Sequence, residues 1–149
     1  MKQYLLMIFA NACTIILYSQ DTRLADNHSA KLKILIDKYS EARENRDTML
    51  LKLILTADVD QLVSTGEWRT GIDASVRGML NSSASSPGTR TLIVDRIRML
   101  SATNAIVDCR YEIQNADGSP RKMWSTFLTV YEKTGWKIAA IRNMMPVKQ

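Results

Sequence analysis

A chain of 149 residues, 46% hydrophobic and 23% charged, is the size of one domain and can bury a core without disulfide staples. Its formal charge of +5 is spread among alternating acids and bases, as in Arg43-Glu44-Asn45-Arg46-Asp47, a pattern of solvated surface that argues against nucleic-acid binding. The one histidine, His28, argues against Ser-His-Asp or Cys-His chemistry and a histidine metal site. Gly66, Gly71 and Gly78 fit neither a dinucleotide fingerprint nor a phosphate loop, so neither NAD nor ATP is expected.

Residues 1–20 read as a secretory signal peptide. Lys2 is a minimal positive start, Leu5–Leu17 is an apolar run too short to span a bilayer comfortably, and Tyr18-Ser19-Gln20 precedes the polar Asp21-Thr22-Arg23. Cleavage after Ser19 or Gln20 would export the protein to the periplasm or medium, with no membrane attachment afterwards; an uncleaved N-terminal anchor is the alternative. Loss of Cys13 with the signal leaves Cys109 without an intrachain partner, among apolar strand residues, which describes a buried and inert thiol. Residues 21–28 form a polar tether, and a single domain is expected over 29–147.

The domain opens with a helix from about Ser29 to Asn45, because Leu32, Leu35, Ile36, Tyr39 and Ala42 recur at helical spacing. Asp47 can cap a second, shorter helix carrying Met49, Leu50, Leu53 and Ile54. Val59–Thr65 reads as a short strand, turned by Gly66-Glu67 towards Trp68. Thr70 and Asp73 make an acid-containing variant of the capping box for a third helix whose buried face is Ile72, Val76, Met79 and Leu80. Asn81–Gly88, rich in Ser and closed by Pro-Gly, reads as a loop.

From Thr91 the period moves towards two. In Ala105–Asn115, Val107, Cys109, Tyr111 and Ile113 share one face and Asp108, Arg110 and Glu112 the other. Asp117-Gly118 supplies a hairpin turn into Lys122–Thr134, and Glu132–Gly135 turns the chain into Trp136–Met145. In that last strand Trp136, Ile138, Ala140 and Arg142 are expected on one face, with Lys137, Ala139, Ile141 and Asn143 on the other. Apolar residues on both faces suggest that the strand is covered twice.

Helices followed by long strands resemble the nuclear transport factor two-like superfamily, which includes ketosteroid isomerase-like and SnoaL-like proteins. The segments Asp58-Val59-Asp60-Gln61-Leu62, Gly66-Glu67-Trp68-Arg69-Thr70-Gly71 and Gly135-Trp136-Lys137-Ile138-Ala139-Ala140-Ile141-Arg142-Asn143-Met144 look like the SgcJ/EcaC branch of SnoaL-like proteins. The resemblance implies an α+β fold in which N-terminal helices pack on a strongly curved, mostly antiparallel sheet, a cone with an internal pocket. It also implies a homodimer, no cofactor, and a small, largely apolar ligand. Isomerases of this fold use a carboxylate base with a hydrogen-bond donor at the developing oxyanion.

On that basis the candidate catalytic residues are Asp60 or Asp58 as base and Tyr39 as donor. The candidate pocket residues are Trp68, Met79, Tyr111, Trp124 and Arg142. Each has a plainer reading. The two aspartates suit a strand entry and a salt bridge, the tryptophans and Met79 suit core packing, and Arg142 suits an ion pair with Asp58 or Asp60. No metal is expected, since two aspartates alone are too few ligands. Acid–base chemistry of the isomerase or cyclase type and a non-catalytic binding or interaction module both remain open at this point.

Overall fold

The computed structural model describes residues 26–85 and 87–146; the expected signal peptide and its cleavage site lie outside them. By packing, the chain divides into Met1–Lys31 and Leu32–Gln149. Of the first unit only the opening turns of a helix are described, and the account below concerns the second.

Helix α1 covers residues 26–44, so it begins inside the segment expected to be tether. Its stripe of Leu32, Leu35, Ile36, Tyr39 and Ala42 is buried, as the spacing requires. After Arg46, which takes a left-handed φ of 55°, Asp47 caps helix α2, Thr48–Ile54, by accepting a 2.9 Å bond from the Leu50 amide. The buried residues of α2 are Leu51 and Ile54, while Met49 and Leu53 face solvent. The helix ends where Leu55 turns extended, so strand β1, Leu55–Leu62, starts four residues ahead of the expected Val59.

Strand β2, Trp68–Thr70, leads through Gly71 into helix α3, Ile72–Ser85. Asp73 forms no capping box with Thr70; it pairs with Lys52 at 3.0 Å. The Ser-rich segment expected as a loop continues the helix as far as Ser85. Its serines turn their hydroxyls back onto the helix, Ser82 to the Gly78 carbonyl and Ser85 to the Asn81 carbonyl, both at 2.9 Å, and so remain helical despite a composition typical of turns.

Four long strands follow: β3 (Gly88–Met99), β4 (Asn104–Asn115), β5 (Pro120–Glu132) and β6 (Gly135–Met144). Gly118, at φ 83°, makes the β4–β5 turn and donates to the Asn115 carbonyl at 2.9 Å. The six strands lie in the order β2-β1-β6-β5-β4-β3, antiparallel except for the β1–β6 pair. The sheet is curved and not closed.

Two bulges bend it. One inserts Asp95 into β3, between the pairs Val94–Cys109 and Arg96–Asp108. The other inserts Ala139 into β6, since Thr129 faces Ile138 while Leu128 faces Ala140. The second bulge shifts the phase of β6. Trp136 and Ile138 point to the core before it, and Ile141 after it; Ala140, Arg142 and Met144 lie on the outer face. The apolar pattern on both alternations is therefore one inner face read across a phase shift, and Arg142 does not share a face with Ile138. The core lies between α1 and the inner sheet face, where the Tyr39 and Phe127 rings meet edge to face at 5.3 Å.

Candidate functional site: an arginine-lined cavity

Beyond the Tyr39–Phe127 contact the packing opens into a cavity of about 320 Å³. One wall comes from the last turn of α1 (Arg43) and the final turns of α3 (Asn81, Ser82, Ser85). The opposite wall is the inner sheet face, with Gln61, Arg69, Arg90, Tyr111, Arg121, Met123 and Asn143 projecting from all six strands. At roughly 30 Å³ per water, this volume has room for about ten waters or a small metabolite.

The lining is polar and cationic. Four arginines, at 43, 69, 90 and 121, face a single carboxylate, Glu67. Arg69 is fully committed: it donates to Glu67 at 2.8 and 3.2 Å, to Gln61 Oε1 at 3.4 Å and to Ser82 Oγ at 3.1 Å. That fork holds the Glu67 carboxyl below its usual range, chiefly through the hydrogen bond. Arg90 donates to the Gly88 and Ser82 carbonyls at 3.0 and 3.4 Å, which secures the passage from α3 into β3.

Arg43 stands apart. It is 7% exposed, and its Nη1 donates to the Tyr111 and Tyr39 hydroxyls at 3.2 and 3.5 Å. Its guanidinium carbon lies 5.8 and 5.9 Å from the two ring centroids, within cation–π range. Burial raises the Tyr39 phenol above its ordinary value, against the opposing pull of Arg43, so that hydroxyl stays protonated at neutral pH and gives no countercharge. The Nε of Arg43 and that of Arg121 have no hydrogen-bond partner among the described residues.

The residues singled out from sequence are largely placed elsewhere. Asp60 lies on the outer face, where its two oxygens each accept from Arg142 at 3.0 Å. The Arg142 guanidinium is stacked 4.8 Å from the centroid of Trp68, which is 56% exposed. Asp58 is exposed on the same alternation of β1. Trp124 is also on the outer sheet face, in a shallow groove with Asp95, Arg96, Asp108, Thr126 and Met144. Met79 is buried in the core, and Tyr39 does not line the cavity but accepts a bond from Arg43, which does. Tyr111 alone of the expected residues lines it.

Of the lining residues missed in the sequence, two carried a signal. Arg43 follows Tyr39 by four positions and Ile36 by seven, and so continues the apolar stripe of α1. Arg121 alternates in phase with Met123, Ser125 and Phe127, the inner face of β5. A cation on a core-facing alternation is a legible anomaly.

No group of three or more histidine, cysteine or acidic side chains able to hold a metal occurs among the described residues. None of their helices is long and apolar enough to cross a membrane.

No family profile matches the chain, and no curated protein matches it. Solved structures do. An NTF2-like protein from Shewanella oneidensis is 18% identical, with a TM-score of 0.67 over 78% of this chain and 98% of that one. A ketosteroid isomerase-like protein from Erwinia carotovora atroseptica is 19% identical, with a TM-score of 0.69 over 80% and 96%. An NTF2-like protein with a cystatin-like fold from Novosphingobium aromaticivorans is 12% identical, with a TM-score of 0.68 over 83% and 84%. With its helices on one face of an open, bulged sheet, the chain has the nuclear transport factor two-like, ketosteroid isomerase-like fold.

Proposed function

We propose that this protein is a non-catalytic binding member of that fold, holding a small molecule in the cavity beneath α1 and α3. The observation that carries the reading is the direction of β1. Gln61 faces the cavity, whereas Asp58 and Asp60, the candidate bases, lie on the opposite alternation with Asp60 bound to Arg142. A general base must come within hydrogen-bond reach of the proton it removes, and neither aspartate lines the cavity. The polar lining also favours a polar ligand over the largely apolar one that the resemblance implies.

Ser82→Phe, placed on the cavity wall, tests this reading. Native mass spectrometry of protein purified from its host should show a small-molecule adduct on the wild type that Ser82→Phe loses. Turnover of any substrate that depended on Asp58 or Asp60 would sink the non-catalytic assignment.

The sequence motifs support placing the chain in the SgcJ/EcaC branch, and its N-terminal pattern supports export. The second is checked by intact mass: a mature N-terminus near Gln20 or Asp21 is expected, and retention of Met1 would refute it. The exposed apolar side chains of the outer sheet face, Ile93, Trp124, Leu128 and Met144, support the homodimer.

A further inference from the structure

We propose that the group recognised in this cavity is an oxyanion, a carboxylate or phosphate on a short organic body, and that Arg43 and Arg121 receive it. The proposal rests on the cavity being a ligand site and adds the charge of what fills it.

The argument starts from cost. Guanidinium stays protonated in proteins, and an ion buried without a countercharge costs several kcal/mol even after relaxation. Arg43 is buried to 93%, and among the described residues no carboxylate is bonded to it. Its position in the last turn of α1 lets the helix dipole help, but only weakly. Cation–π contact with Tyr39 and Tyr111 adds a further modest stabilisation. The protein alone therefore leaves Arg43 under-compensated, and a bound anion would complete it.

Geometry points the same way. Among the described residues the bonds of Arg43 run through Nη1, and its Nε is buried without an acceptor, so the protein leaves part of the guanidinium's donor set unmatched. Arg121 pairs with Ile113 across the β4–β5 ladder, and Tyr111 pairs with Met123. Arg121 is therefore a diagonal neighbour of the tyrosine that anchors Arg43, at about 7–8 Å. Its Nε too has no protein acceptor among the described residues, and it makes no ion pair there. Arg69, by contrast, is already neutralised by Glu67. Ile113 and Met123 lie beside the two arginines in the lining and give a short alkyl or aryl body an apolar surface.

The test titrates the full chain, after any cleavage it undergoes, with hexanoate, its neutral isostere hexanamide, and inorganic phosphate, at fixed ionic strength, by calorimetry and thermal shift. Hexanoate should bind about tenfold or more tightly than hexanamide, the contribution of a charge-assisted bond. The phosphate arm separates a general oxyanion site from one that needs the organic body. Arg43→Met and Arg121→Gln should each abolish the preference for acid over amide. Arg43→Met should also raise the melting temperature of the unliganded protein, because it removes an under-compensated charge; a merely structural arginine would lower it. Arg121→Gln, on a half-exposed strand position, keeps the test informative if Arg43→Met does not fold.

Equal binding of acid and amide would overturn the oxyanion assignment while leaving the cavity as a ligand site. Acid binding that survives both substitutions would place the anion elsewhere and overturn it as well. Silence from all three probes would also overturn it, and the cavity reading would still be judged by the adduct on wild type and its loss in Ser82→Phe.

Discussion

Asp60, Arg142 and Trp68 make a stack that looks like a site and behaves as a strut. The carboxylate receives both arms of the guanidinium, and the indole covers the guanidinium's face. Each ion of the pair is about one-third exposed, so solvent screening limits its worth to about 1 kcal/mol or less. Asp60→Asn is therefore expected to lower unfolding stability by no more than that, measured in urea, and to leave cavity binding at its wild-type strength. Cys109 is the reverse case, a reactive residue type made inert. Burial pushes its thiol up to about 12, so a thiol reagent at pH 8 should label it only after unfolding. The same shift has a stability consequence. A thiol that ionises near 9.0 when unfolded and near 12 when folded holds its proton longer in the native state. Its contribution is whole below about pH 9 and is lost as pH rises towards 12, and the raised Tyr39 phenol acts in the same direction. Denaturant midpoints measured across that range should fall steadily; a flat profile would contradict the burial of both groups.

Helix α3 depends on a missing side chain. A Cβ at residue 78 would overlap Nε, Cδ and Cζ of Arg69, so the glycine is what lets that arginine pass beneath the helix to reach Glu67, Gln61 and Ser82. Alanine at 78 would gain about 1 kcal/mol of helix propensity against an overpacking cost of about 1–3 kcal/mol. Gly78→Ala should thus be destabilising by about 1 kcal/mol net, with Arg69 displaced from Glu67. An NMR titration of Glu67 would detect this as a return of its carboxyl towards the ordinary range. Such long-range contacts mark the limit of what the chain's pattern discloses. The stripe of α1, the Asp47 cap, the β4 alternation and the Asp117-Gly118 turn all depend on neighbours within a few positions, and all were legible. The phase of β6 was not, because the bulge at Ala139 is fixed by pairing with β5 and leaves no local mark. That one inserted residue carried Arg142, one of the expected pocket residues, to the outer face. Likewise, Asp58 and Asp60 share an alternation whichever way β1 faces, and only its packing against the helices selects Gln61 for the interior.

Across the whole sheet, charge is sorted by face. The inner end carries a surplus of arginine around the cavity. On the outer face the charges close on one another, Arg96 with Asp108 at 3.0 Å, Arg110 with Asp95 at 3.7 Å and Lys122 with Glu112 at 4.0 Å. Between these pairs run apolar side chains brought into register by the ladders: Ile106 beside Leu128 beside Ala140, and Trp124 beside Met144. Self-neutralised pairs flanking an apolar strip leave little charge to desolvate when the face is covered, the usual condition for a self-complementary contact. The proposed homodimer should bury this strip and leave the cavity, on the other face, open in each subunit. Leu128→Asp then puts an unpaired charge at the middle of the contact. Sedimentation should show wild type passing from monomer to dimer with rising concentration, and Leu128→Asp remaining monomeric throughout. Because Leu128 and the cavity lie on opposite faces, the monomeric variant should still prefer hexanoate to hexanamide. A variant that stayed dimeric would move the interface off this face, and one that lost the preference along with the dimer would mean that the cavity needs the second subunit to hold its shape.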